Sequence, residues 1–503
     1  MNNSPDNREL LWGDLHNHCG ISYGYGSLEN ALERAAAHLD FCAVTGHAMW
    51  PDMYERNNET AFTVDFHIRG FEKLKQNWEE VRNTVAKANG TSLVTFQSYE
   101  MHSRRYGDHH VISPDDRLPL IYRDSPGELV KDLGCEAMAV PHHIGYTPGY
   151  RGINWDAYDP ALTPLIEVCS KHGCAMRETA PYPYYHDMGP RDSRNTVFEG
   201  LAKGFRFGFL GSTDHHAGYP GSYGDGKTAV WADGKSRHAV WQALKARRCY
   251  AVTGDRIQCL FSINGNPMGS FVPPNGNRKI YFKVKGAYFL DKIIVYKNLF
   301  PLSILNGETL PNRGGKGCYK LRIEMGWGNN DDYYRWEGSL KVDNGRLRDL
   351  EPCFRGRSIL APTSSTTVDE ATINGMDNRI LRAEEDGAEW QCFTVRNVST
   401  LHPQTCALIA EIEGDEKTTV TFTINGITAT HTLGELLLRG YSRHLKPWTS
   451  QAFKVHSAVF ETAYTVETEI NDPEGDNGDF YHLEVSQQNG SWAFVSPVYF
   501  VSD

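Results

Sequence analysis

Over the first half of the chain, short apolar runs alternate with amphipathic stretches, and each run leads to a polar residue capable of chemistry. Leu10-Leu11-Trp12 runs into Gly13-Asp14-Leu15-His16-Asn17-His18, and Phe41-Cys42-Ala43-Val44 runs towards His47. Leu93-Val94-Thr95-Phe96 precedes Glu100 and His109-His110, Ala137-Met138-Ala139-Val140 precedes His142-His143, and Phe207-Gly208-Phe209-Leu210 precedes Asp214-His215-His216. Runs of this length read as buried parallel strands. Ser27 caps a helical stretch with Leu28, Ala31, Leu32, Ala35 and Leu39 on one face. Phe71, Leu74, Trp78, Val81 and Val85 mark a second helix, Ser125-Pro126-Gly127-Glu128 opens a third, and Ser236 begins a fourth with Val240, Trp241 and Leu244. The alternation predicts an α/β fold with a mainly parallel sheet. Candidate ligands at so many strand ends favour its closure into a barrel.

After Thr253-Gly254 the pattern changes to short strands between turns, at 279–285, 292–296, 319–323, 390–395, 418–424 and 494–501. Asn-Gly pairs at 264–265, 344–345, 374–375, 425–426 and 489–490 are tight-turn signals, and their density predicts an all-β sandwich. Two domains are therefore expected, residues 1–257 and residues 258–503. His402, His431, His444, His456 and His482 are scattered through the second and lack ligand spacing.

Composition narrows the function. A chain of 503 residues with a formal net charge of −11 lacks the basic footprint of a nucleic-acid binder. A phosphorylated small molecule stays open as substrate, because bound metal ions supply positive charge locally. No apolar run approaches the roughly eighteen residues of a membrane span, and Met1–Arg8 carries no signal pattern. Eleven cysteines without close CxxC pairing read as reduced thiols, so a cytoplasmic location is expected. Cys19 and Cys169 fall near the candidate site and read as small buried hydrophobes.

His16 and His18, two residues apart at a strand end, present two imidazoles to one side, which suits a metal ion. A single HxH is weak evidence. Its repetition as strand-end ligands in four later segments is not. Glu100 is the natural bridge, because a carboxylate has two oxygens and can join two metals. Asp214 can complete the first metal's shell, and His110 and His142 the second's. His109 and His110 are not separable by spacing alone, although Val111-Ile112 continue from His110 as a strand would.

Gly-Asp-Leu-His-Asn-His, Thr-Gly-His, Tyr-Glu with His-His-Val, Val-Pro-His-His and Ser-Thr-Asp-His-His resemble successive motifs of the polymerase and histidinol phosphatase (PHP) superfamily. Gly189-Pro190-Arg191-Asp192-Ser193, Pro220–Gly226 and Ala246-Arg247-Arg248-Cys249-Tyr250 are similar to the branch that includes carbaryl- and carbofuran-type carbamate hydrolases. The resemblance implies a distorted (β/α)7 barrel bearing two or three divalent metals such as zinc, manganese or iron. Carried over, it assigns His16, His18, Glu100 and Asp214 to one metal, and Glu100, His110 and His142 to another. The third metal of trinuclear members needs a histidine at position 24. Gly24 stands there, so His47 and His216, the other ligands that the resemblance gives a third metal, serve either as metal ligands or as catalytic groups that orient substrate or move protons.

Other residues carry competing readings. His102 and His172 suit either the pocket or a polar loop, and Arg104, Arg105, Lys171 and Arg177 suit either an anion or surface pairing. The Pro181–Tyr185 stretch with His186-Asp187 suits a covering loop or plain packing, while His38 and His67 carry no weight. No GxSxG elbow, P-loop or strand-following GxGxxG is present. The expected function is a metal-dependent hydrolase using a metal-activated water, first a phosphoesterase on a small phosphorylated metabolite. A carbamate, ester or amide hydrolase with the same di-metal site is the alternative. A non-catalytic metal-binding protein is disfavoured by the near-complete ligand set.

Overall fold

The computed structural model describes residues 7–179, 188–189, 191–274, 276–328, 333–359, 370–396, 404–447 and 450–502. In the first half, β1 (Glu9–Asp14), α1 (Leu28–His38), β2 (Phe41–Ala43), β3 (Gly46–Met49), α2 (Ala61–Ala88) and β4 (Val94–Met101) come in order. They are followed by β5 (His109–Ser113), α3 (Pro126–Asp132), β6 (Met138–Pro141), β7 (Leu165–Ser170), β8 (Gly173–Cys174) and α4 (Val197–Ala202). The half closes with β9 (Gly208–Gly211), β10 (Lys227–Ala232), α5 (Arg237–Lys245) and β11 (Cys249–Val252).

Helices α1, α3 and α5 begin where polar caps satisfy their first N–H groups, whereas α2 has no side-chain cap. The hydroxyls of Ser27, Ser125 and Ser236 accept from the main-chain N–H of Asn30, Glu128 and Ala239. Helix α2 is longer than the pattern suggested, and His67 takes the buried face while Phe71 is half-buried. Among the described residues no helix is long and apolar enough to cross a membrane.

The sheets depart from the expected mainly parallel arrangement. Strands β1, β2 and β4 are parallel, as are β3–β4 and β7–β9. Strand β5, however, runs antiparallel to both β4 and β6, and β10 runs antiparallel to β1 and β11. Only residues 102–108 join β4 to β5, too short a link for the crossover that parallel pairing requires. Nor does a ladder close a barrel among the described residues: β7, β8 and β9 form their own sheet. Hydroxyls bridge the gap instead. Thr228 Oγ donates to Gly211 O at 2.6 Å, and Phe209 N donates to Ser496 Oγ at 2.7 Å.

The large sheet runs past residue 257 without a break. Strand β11 pairs with Trp492–Phe500, which pairs with Phe480–Gln487, then Leu290–Lys297 and Phe300–Asn306. Trp12, Trp231 and Tyr250 from the first half share a core with Phe282, Val295, Leu483 and Val495 from the second. Beyond this lie antiparallel strands whose alternate residues are buried, as in Arg278–Lys285 and Thr419–Ile424. Residues from a six-stranded and a five-stranded sheet share one core containing Tyr319, Trp336, Trp390, Leu408 and Phe422. Asn425 and Gly426, with φ of 45° and 82°, make the left-handed turn joining Thr419–Ile424 to Ile427–Thr432. His402 and residues 181–187 lie outside the described residues.

Candidate metal centre

The ends of β1 and β9 are stitched together by main chain and by one carboxylate. His18 N donates to His215 O at 2.8 Å, Asp214 N to His16 O at 2.7 Å, and Gly218 N to His18 O at 3.0 Å. Asp14, fully buried, accepts from Thr213 Oγ at 2.6 Å, Gly221 N at 2.9 Å, Thr213 N at 3.1 Å and His16 N at 3.2 Å. Burial pushes the Asp14 carboxyl up to about 6 even against these donors. The segment after Asp214 is held from its far side by the second half of the chain. Tyr223 N donates to Phe354 O at 2.9 Å, Arg355 to Tyr223 O at 2.7 Å, and Asn378 Nδ2 to Tyr219 Oη at 2.9 Å.

All eight residues read as ligands from the sequence converge here. Glu100 stands at the middle, with Oε1 at 3.0 Å from His142 Nε2 and Oε2 at 3.2 Å from His47 Nε2 and 3.6 Å from His18 Nε2. Asp214 Oδ1 lies 2.9 Å from His18 Nε2 and 3.5 Å from His16 Nε2. His110 Nδ1 lies 3.3 Å from His142 Nδ1, whereas the His109 ring turns to Gly107 O at 2.9 Å. Three imidazoles, His16, His110 and His142, bring nitrogens within 4.8 Å of one another, and so do His18, His47 and His216. The grouping differs from the carried-over assignment in placing His16 with the second pair as well as the first.

Outer contacts fix which nitrogen His16, His47 and His216 offer. Glu167 Oε2, 3.0 Å from His16 Nδ1, leaves Nε2 turned inward; Ser22 Oγ does the same for His47 at 3.1 Å. His216 Nδ1 donates to Asp214 O at 3.1 Å. His102 has both nitrogens engaged, Nδ1 with Asp108 Oδ2 and Nε2 with Tyr23 Oη, each at 3.0 Å, so it supports the ligands from behind. Asp214 Oδ2 lies 3.0 Å from His172 Nε2 and 3.6 Å from His143 Nε2. Asp214 and His143 have φ of 50° and 54°, a left-handed conformation that costs non-glycine residues energy.

The electrostatics are those of crowded donors. Burial opposes charge on His16, but Asp214, Glu167 and Glu100 outweigh it and lift the imidazole to about 10. Burial drives His47, His110, His143 and His216 well below the ordinary histidine range. For Glu100 burial acts upward, and His102, His47 and His142 override it to hold the carboxylate well below its usual range. Glu100 Oε2, His18 Nδ1, His110 Nε2 and His143 Nδ1 are buried without a hydrogen-bond partner. Such atoms cost roughly 1–3 kcal/mol each unless something binds them. A nitrogen-rich donor set with two carboxylates fits divalent transition metals.

Position 24 accepts no side chain. A Cβ on Gly24 would sit 2.6 Å from Cys19 O, and the neighbouring Tyr23 ring stacks on His47 with centroids 3.5 Å apart. Cys19 and Cys169 are buried, and burial pushes the Cys19 thiol up to about 12. The other candidate cations turn elsewhere: Lys171 to Asp225 at 3.1 Å, Arg177 to Glu484 at 2.9 Å, and Arg104 to the Tyr54 ring at 4.2 Å. Arg105 N donates to Asp52, His38 Nε2 faces Pro220 O, and His67 Nδ1 donates to Thr63 O. The sequence reading gave His143 no separate role and missed Glu167, Asp108 and Tyr23. Glu167 had a signal, an acid inside the apolar run Leu165-Ile166-Glu167-Val168.

A family described as proteins of unknown function, DUF3604, matches residues 221–266. Uncharacterised proteins of Chlamydia pneumoniae and Chlamydia trachomatis are similar at 32% and 33% identity, over 38% and 24% of this chain. The match spans about a third of the first relative's length (36%) and 21% of the second's. Among solved structures, a two-domain Bacteroides vulgatus protein containing a predicted PHP-like metal-dependent phosphoesterase is similar at 16% identity. Its TM-score is 0.32, over 57% of this chain and 79% of that one. The lesion-specific endonuclease Q of Pyrococcus furiosus is similar at 13% identity and a TM-score of 0.28, over 47% and 56%. TM-scores this low assign neither a fold nor an activity.

Proposed function

We propose that this chain is a metal-dependent hydrolase whose substrate is a small phosphorylated metabolite, not a nucleic acid, and that it works in the cytoplasm. The observation carrying this reading is Glu100: one buried carboxylate whose two oxygens face different histidine groups, with Oε2 otherwise unpartnered. His16, His18, Glu100 and Asp214 would hold one divalent metal, and Glu100, His110 and His142 a second, with zinc, manganese and iron all suited to the donors. When bound, such ions activate a water and polarise the scissile bond. Glu167 and Ser22 keep the inward nitrogens of His16 and His47 fixed, and Asp14 keeps the two ligand segments in register.

His47 and His216 remain for the substrate side, and His216, whose Nδ1 donates to Asp214 O, has Nε2 to take the proton given up by the attacking water and pass it to the leaving group. The closed position 24 favours two metals over three. In this reading the strands of residues 1–257 form the distorted barrel. Residues 258–503 form the β-sandwich domain that buttresses it without supplying metal ligands. Elemental analysis of dialysed protein, with p-nitrophenyl phosphate, its diester and p-nitrophenyl acetate assayed side by side, tests the proposal. About two metals per chain and preference for the phosphomonoester are expected. Less than one metal per chain sinks the metal centre, and preference for the acetate moves the reading to carbamate, ester or amide hydrolysis.

A further inference from the structure

One cation near the metal centre does not turn away from it. Arg151 lies on the connection between β6 and β7, and its main-chain carbonyl accepts from Asp108 N at 3.2 Å. Its guanidinium NH1 reaches Asp108 Oδ2 only at 3.4 Å, an oxygen already 3.0 Å from His102 Nδ1. The Asp108 side chain is fully buried, whereas that of Arg151 is 15% exposed, so the guanidinium is the outer member of the pair. It also lies 5.2 Å from the centroid of the Trp50 ring. Trp50 follows directly on β3, the strand that carries His47, and His102 N donates to Met49 O at 2.9 Å. Arg151 and Trp50 thus stand at the same strand ends as the ligands.

One observation marks the pair as a ligand site instead of a strut. The indole Nε1–H of Trp50 is buried with no acceptor, in a residue only 4% exposed. An unmade N–H of this kind is costly, and a bound oxygen would relieve it. A planar guanidinium is suited to paired oxygens, and an indole N–H adds a donor that carries no charge.

We propose that Arg151 and the Trp50 indole N–H form an oxyanion subsite beside the metal centre, taking phosphoryl or carboxylate oxygens of the substrate. The inference rests on the hydrolase reading and names the residues that would recognise an anionic group of the substrate. The test uses the metal-loaded, full-length chain and titrates inorganic phosphate and malonate into wild type, Arg151→Ala, Arg151→Lys and Trp50→Phe. Losing a charge-assisted bond should weaken oxyanion binding about 10- to 100-fold in Arg151→Ala, with metal content unchanged. Arg151→Lys should recover part of that loss, and Trp50→Phe should cost roughly fivefold.

Weaker phosphate binding alone identifies a phosphoryl site, and weaker malonate binding alone a carboxylate site. The KM for p-nitrophenyl phosphate should also rise at least about fivefold more than that for p-nitrophenyl acetate. Unchanged affinity for both oxyanions overturns the proposal, as does an equal rise in KM for the charged and neutral esters, which marks Arg151 as a strut for its loop. If Arg151→Ala does not fold, unchanged affinity in both Arg151→Lys and Trp50→Phe overturns it equally. A wild-type chain that hydrolyses neither ester defeats the hydrolase reading separately, because the oxyanion titration still reports on Arg151.

Discussion

Two fully buried carboxylates, Glu100 in the metal centre and Asp255 at the junction with the second half, show opposite uses of the same group. Asp255 accepts from Tyr223 Oη at 2.6 Å, Gln487 Nε2 at 2.7 Å and Asn489 Nδ2 at 2.6 Å, and it pairs with the Arg322 guanidinium at 3.2 Å. Every donor it needs belongs to the protein. Glu100 meets only imidazoles, and one of its oxygens has no hydrogen bond. The second half repeats the Asp255 pattern. Glu324 accepts from Thr405 Oγ1 at 2.6 Å and pairs with His456 Nε2 at 2.8 Å. Polar burial that is fully paired holds a fold, and polar burial that is left short marks a place for something else.

Four changes would break or sharpen that contrast. The largest effect is expected from Glu100→Gln, which should remove both metals and cut turnover by more than about 100-fold while leaving the fold intact. Full metal occupancy with near-normal turnover would reduce Glu100 to a polar strand end. The converse change, Arg322→Met, should leave Asp255 charged and unpaired. It should cost about 3–5 kcal/mol in thermal or urea unfolding, with metal per folded chain unaltered. An unchanged unfolding midpoint would deny the pair its structural role.

His216→Ala comes next. It should slow turnover by roughly 100-fold for poor leaving groups and less for good ones, with two metals retained. Equal losses across leaving groups would reject proton donation, and parallel loss of a third metal would make His216 a ligand. The smallest effect concerns acid. Glu411 and Glu324 are held at about 2 against an ordinary 4.5, in each case by partners that override burial. Because folding depresses these pKa values, their contribution is complete above about 4.5 and is lost as pH falls towards 2. Unfolding midpoints followed from pH 6 downward should fall across that window by less in Glu411→Gln than in wild type. Parallel curves would refute the linkage.

Much of the centre was legible because its ligands end apolar runs, a pattern that periodicity exposes. The eight ligand candidates need only strand ends that meet, and the structure brings those ends together. The residues that orient them were harder to read. Glu167 reaches His16 across 151 positions and Asp108 reaches His102 around a turn, and neither spacing announces a partner. Helix starts were legible from Ser27, Ser125 and Ser236, since a cap is a local event. Strand direction was not, because an apolar run looks the same in either sense. The length of the 102–108 link was the overlooked clue to β5. The sharp change in pattern near Gly254 concealed a sheet that continues through it, since hydrogen bonding between strands leaves no mark on composition.

The stitching of β1 to the segment after β9 also sets a timetable. The first histidines of the centre leave the ribosome early, yet their partners at 214–218 follow some two hundred residues later. Those partners are braced in turn by Phe354, Arg355 and Asn378. At about 5–20 residues per second, the interval between His16 and Asn378 lasts tens of seconds. Throughout that interval the nascent chain carries loose histidines and no finished cage. On the proposed reading, metal acquisition falls late in the synthesis of each molecule, after Asn378 has been made.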